Sequence, residues 1–127
     1  MISNIKVLKN EDREIPVPEL WRDTFKNIID AFIDNDFKLE IKIEGVSPIT
    51  VDNAKLISNN IEEYNCQLVS LPESTWNSSI CLWMNGYWQV LVDLYTKEEG
   101  RSDLAMTVYV YEESSSFSFD IQSVHVP

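Results

Sequence analysis

Apolar residues between positions 18 and 34 recur at three- and four-residue spacing: Trp21, Phe25, Ile28, Ile29, Phe32 and Ile33. That spacing lines one face of an α-helix and predicts a helix over 18–34. Pro18 suits its first turn, Glu19 and Asp23 sit at the positive end of its dipole, and Asn35-Asp36 ends it. The period then changes. Residues 37–44 alternate strictly, with Phe37, Leu39, Ile41 and Ile43 set against Lys38, Glu40, Lys42 and Glu44. This predicts a half-exposed strand near a sheet edge, where lysines discourage stray pairing. Gly45 and Pro48 mark a turn. Thr50 is a fair N-cap for a second helix over 51–65, with Ala54, Ile57, Ile61 and Tyr64 as its apolar stripe. A short strand over 67–71 stops at Pro72.

From there the chain reads as a meander of strands near 78–84, 87–95, 104–111 and 117–126. The connections are Asn85-Gly86, an eight-residue loop and a Glu/Ser loop. Asn-Gly predicts a type I′ hairpin turn, because both central residues need positive φ. A two-residue loop sets the register, with Trp83 opposite Trp88, Cys81 opposite Val90 and Ile80 opposite Leu91. One face then carries Cys81, Trp83, Trp88, Val90, Val92 and Leu94. The other carries Ile80, Leu82, Met84, Tyr87, Leu91, Asp93 and Tyr95. Both faces are apolar, and two helices cover one. The last strand slips phase between Ile121 and Val124, as a bulge near Gln122-Ser123 would make it do, and bulges bend sheets. The expected fold is α+β: one domain over 1–127, two helices on one face of a bent antiparallel sheet of five to six strands, with 1–15 a peripheral segment.

Composition narrows the function. The chain has 127 residues, 44% of them hydrophobic and 14 aromatic, enough for a real core. A net charge of −11 argues against binding nucleic acid or an anionic membrane through bulk electrostatics. The polar start and the short apolar runs lack a signal peptide or a span, so a cytoplasmic protein is expected. The sequon at Asn77 is therefore read as a chance match. The charge is also uneven: residues 56–127 hold ten acids against only Lys97 and Arg101.

Catalytic and metal motifs are missing. Two cysteines, one histidine and three glycines support no zinc site, phosphate cradle or nucleophile elbow, so no metal or cofactor is expected. Cys66 and Cys81 read as small buried hydrophobes. Asp93 lies in a predicted central strand between Leu91 and Tyr95, on a face bearing Tyr87; with Tyr95, Tyr109 or His125 it is the candidate general base, and hydrogen bonding to a loop or pairing with Arg101 is its structural alternative. The acids gather in loops: Glu98, Glu99 and Asp103 at one hairpin, Glu112 and Glu113 at the other. Together with aromatic anchors drawn from Trp83, Trp88, Tyr109 and Tyr111, they form the candidate surface for a basic protein partner.

PELWRDTFKNIIDAF, LVSLPESTW, WQVLVDLYTKEEGRSDL and SVHVP occur in order. Together they resemble a family of small uncharacterised bacterial domains over most of 16–127, a resemblance that implies no catalytic residue. The helix–strand–helix–meander order is similar to the cystatin-like/NTF2-like cone. Size and acidity are similar to immunity proteins, which bind and neutralise basic bacterial toxins. Three readings compete: a non-catalytic immunity-type protein, an NTF2-like pocket or enzyme using Asp93, and a homodimer that hides the second sheet face.

Overall fold

A computed structural model describes residues 7–127. Strand β1 (Ile15–Pro16) leads directly into helix α1 (Glu19–Ile33). Arg22 ties that junction together, since its Nε and Nη2 both donate to the Val17 carbonyl, at 3.1 and 2.9 Å. Asn35 adopts a left-handed φ of 64° and closes α1. Its N–H donates to Phe32 O, and the Asp36 N–H reaches back to Ala31 O. That pair of bonds is a Schellman stop, which asparagine tolerates better than most residues.

The alternating stretch 37–44 is not a strand. The Asp36 carboxylate accepts from Glu40 N–H (2.8 Å) and Ile41 N–H (3.0 Å), and Leu39 turns at φ 57°. These bonds hold the Asp36 carboxyl below the usual carboxylate range, with Ile41 N–H the largest cause. Captured this way, the amides are lost to a ladder, and the side chains no longer share one face. Leu39 is buried and Phe37 stacks on Phe32 at 5.5 Å, while Ile41 stays 61% exposed. Extended pairing resumes only as one parallel bridge, Val46 to Phe119. Gly45 permits it: φ is +79°, and a Cβ there would lie 2.8 Å from Phe117 O.

Helix α2 (Val51–Tyr64) starts where expected, with Thr50 Oγ1 accepting from Asn53 N–H at 3.2 Å. It runs beside the last strand, β5 (Phe117–His125). Asn53 Nδ2 donates to Ile121 O and Gln122 O, and Asn60 Nδ2 to Val124 O. Helix amides thus occupy edge carbonyls that would otherwise invite another strand.

Between α2 and β5 lie a 3-10 turn (Glu73–Asn77), β2 (Ile80–Trp83), β3 (Trp88–Thr96) and β4 (Gly100–Glu112). The five strands are antiparallel in the order β1-β2-β3-β4-β5, and the sheet is open. The expected strand over 67–71 reduces to one bridge, Leu68 to Thr96, which pairs with β3 past the point where β2 stops. The expected eight-residue loop is a three-residue turn, because β4 begins at Gly100. A bulge opposite Leu94 absorbs the extra residues. There Ser102 Oγ donates to Leu94 O (2.8 Å) and accepts from Leu104 N–H (3.1 Å), replacing ladder bonds. The register at Asn85-Gly86 is as expected, but Gly86 at φ 150° departs from the roughly +90° of a type I′ turn. The bulge at Gln122 is also present: Thr107 faces Ser123 and Val108 faces Ile121.

The core lies between α1 and the inner sheet face. Trp21 makes edge contacts with Trp88 and Phe117, both at 5.3 Å, and Phe25 with Phe119 at 5.7 Å. Along β3, Trp88, Val90, Val92 and Leu94 are fully buried.

Candidate functional site

Asp93 projects from the outer face of β3, the face α1 does not cover. Its Oδ2 accepts from Ser78 Oγ at 2.5 Å, its N–H donates to Ser79 Oγ, and its carbonyl accepts from Thr75 Oγ1. The residue therefore fastens the 3-10 turn to the sheet. Arg101, its expected ion-pair partner, instead stands opposite Tyr95. His125 lies in the same cross-strand row, since Ala105 faces Asp93 on one side and His125 on the other. Two strand spacings separate them, roughly 10 Å, and the His125 ring bonds Ser123 Oγ at 2.9 Å.

The acidic residues divide into two groups at opposite ends of β4. At its start, Glu98 accepts from Gln67 N–H (2.8 Å) and Glu99 from the Tyr64 hydroxyl (2.5 Å), which itself accepts from Asp103 N–H. The Glu99 bond raises the Tyr64 phenol, and burial together with Glu98 and Glu99 raises the Cys66 thiol. At the far end, Glu112 pairs with Lys9 at 2.9 Å and Glu113 accepts from Ser118 Oγ. Gly100 and Val110 face β3 residues eight steps apart, and two more steps reach Glu112, so roughly 33 Å separates the two ends of β4. The two groups do not make one patch, and each already braces a hairpin.

The aromatic candidates divide by face. Trp88 is fully buried, and its Nε1 donates to Leu8 O at 2.9 Å. It is a core residue and cannot anchor a partner. Trp83 packs on it at 4.8 Å on the same inner face, with the Lys9 ammonium above. Tyr109 and Tyr111 face outward. With Tyr87 they form a cluster, its ring 4.5 Å from Tyr109 and 5.6 Å from Tyr111. Partial burial, then the Tyr109 hydroxyl, raises the Tyr87 phenol.

Tyr87 is the residue missing from the sequence-based candidate surface. The Asn-Gly register placed it on this face, but its proximity to Tyr109 depends on how β3 aligns with β4 (Gln89 opposite Tyr109). No local motif sets that alignment. Ile80, Leu82 and Leu91 continue the face as half-buried apolar positions, and Asp120 stands directly opposite Tyr109.

Two open grooves lie elsewhere. One of about 510 Å³ runs between the end of α1 and the 36–44 loop, lined by Asn27, Asp30, Asp34, Asp36, Lys42 and Glu44 among others. Another of about 430 Å³ includes Ser58, Glu62, Cys66 and Glu98. Neither includes Asp93. Among the described residues, no group of three or more His, Cys, Asp or Glu side chains is arranged to hold a metal ion. No described helix is long and apolar enough to cross a membrane.

No curated protein and no solved structure matches the chain significantly. The resemblance to an uncharacterised family carried by the sequence motifs is borne out at that level. A family model described as a domain of unknown function, DUF7668, matches residues 29–127, from the middle of α1 to the last residue, and the chain belongs to that family.

Proposed function

We propose that this chain is a non-catalytic interaction protein of the immunity type, which binds and neutralises a basic protein such as a bacterial toxin domain in the cytoplasm. The observation that carries the reading is the outer sheet face. It combines a tyrosine cluster with half-buried aliphatic residues and is covered by neither helix. Rigid tyrosines supply large contact area at little entropic cost. The excess of acid over base in residues 56–127 would steer a basic partner toward it. The acidic hairpins at the two ends of β4 then act as a rim that sets association rate, with the tyrosines as anchors.

The test co-expresses the chain with the product of its neighbouring gene and measures complex formation and cell survival. Rescue that Tyr87→Ala or Tyr109→Ala abolishes is the expected result. A harmless neighbour, or rescue indifferent to these substitutions, would overturn the reading.

One observation favours a second reading, an enzyme of NTF2-like kind. Asp93 and His125 share a row across Ala105 on the outer face, and β4 and β5 carry a bulge at Gln122, a feature that bends sheets. Against it, the Asp93 carboxylate is engaged by Ser78.

A further inference from the structure

We propose that the outer face receives an arginine side chain of the protein partner, its guanidinium laid on the Tyr109 ring and forked onto the Asp120 carboxylate. This rests on the reading of the chain as a binder of a basic protein. Register is the starting point. Tyr109 on β4 and Asp120 on β5 are direct cross-strand partners, which puts their Cβ atoms about 4.5–5.5 Å apart on one face. Tyr87 packs at a tilt against one side of the Tyr109 ring and also reaches Tyr111, making a cluster of three. Asp120 is exposed, and among the described residues its carboxylate has no hydrogen-bond or ion-pair partner. From β2 to β5 the strands contain one basic side chain besides His125, namely Arg101. Arg101 and Tyr109 stand opposite Tyr95 and Gln89, six residues apart on β3, which puts them roughly 20 Å apart. The Tyr109 ring therefore borders a carboxylate that the sheet itself does not neutralise.

The arrangement selects among partners. A guanidinium is planar, so it can stack on a ring and still present a fork of N–H donors to a carboxylate at its rim. A lysine ammonium is a compact, strongly hydrated point charge that gains less from the ring. A second copy of this chain would bring another Asp120 and a net charge of −11 against the same face, and like charges placed opposite each other are destabilising. Nucleic acid is repelled for the same reason.

The test titrates the full-length, isotope-labelled protein at low salt with three synthetic peptides of Gly-Ser-X repeats, where X is Arg, Lys or Glu. Backbone amide shifts locate the site. The Arg peptide is expected to move the amides around Tyr87, Tyr109 and Asp120, and to bind several-fold tighter than the Lys peptide, with no binding of the Glu peptide. Asp120→Asn and Tyr109→Ala should each weaken it about three- to tenfold, and Glu63→Gln, on the exposed side of α2, should leave it unchanged. If Tyr109→Ala does not fold, Asp120→Asn alone decides. Equal affinity for Arg and Lys peptides on this face overturns the arginine site and leaves the basic-partner reading standing. Shifts elsewhere, or none, overturn the site as well, and the co-expression experiment then judges the broader reading independently. Self-association that Tyr109→Ala abolishes assigns the face to a second copy and also overturns the proposal.

Discussion

The two faces of β3 differ in chemistry and have opposite fates. Trp88, Val90, Val92 and Leu94 lie under α1 and are closed to solvent, whereas Gln89, Leu91, Asp93 and Tyr95 alternate with them and remain half-exposed. Val90 and Leu91 differ little in hydrophobicity, so at these two positions the difference is one of what covers them. One helix with the width of Trp21, Phe25 and Phe32 seals one face, and among the described residues neither helix covers the other. The proposed reading as a binding protein rests on that open face.

The largest expected effect separates the faces by stability. Trp88→Ala removes a fully buried ring packed on Trp21, Trp83 and Phe117, and should cost about 3–5 kcal/mol. Tyr109→Ala on the outer face should cost about 1 kcal/mol or less. Urea unfolding of both variants checks this, and equal losses would mean that the outer face is part of the core.

A second contrast lies between two turns. Gly45→Ala combines positive φ with a Cβ driven onto Phe117 O, whereas Gly86 has positive φ and open space around it. The first should lower stability by about 2 kcal/mol or more and the second by about 1 kcal/mol. If the order of the two unfolding midpoints reversed, the Val46–Phe119 bridge would not be holding the 36–47 loop to the sheet.

The smallest effect concerns the thiols. Burial pushes Cys81 up to about 12 from an ordinary 9.0. The folded state keeps the proton that the unfolded state releases, so this contribution to stability is intact below pH 9 and is lost as pH rises toward 12. The stability gap between wild type and Cys81→Ala should therefore narrow between pH 8 and pH 10.5 in urea titrations. At neutral pH a thiol reagent should modify half-exposed Cys66 first and Cys81 only on unfolding.

Short-range chemistry makes much of this fold legible in the sequence. The three-four spacing of α1, the Asn35 stop, the Thr50 cap, the Asn85-Gly86 register and the Gln122 phase slip depend on neighbours within a few residues. Each is where the chain's own local preferences place it. The 37–44 segment shows the boundary of such reasoning. Its alternation is as regular as that of β3, yet a strand also needs a partner edge, and Asp36 claimed its amides first.

Long-range alignment decided the rest. Whether α1 covers the Trp88 face or the Tyr87 face depends on docking energy summed over the whole sheet, and local spacing is silent about it. The same holds for the candidate site. Tyr87 joins Tyr109 and Tyr111 only through the β3–β4 register, Asp120 meets Tyr109 only through β4–β5 pairing, and the acidic hairpins part because β4 runs unbroken between them. Residue types and their periods are properties of a one-dimensional chain. Which of them become neighbours follows from cross-strand hydrogen bonds and from burial, and those exist only once the sheet has formed.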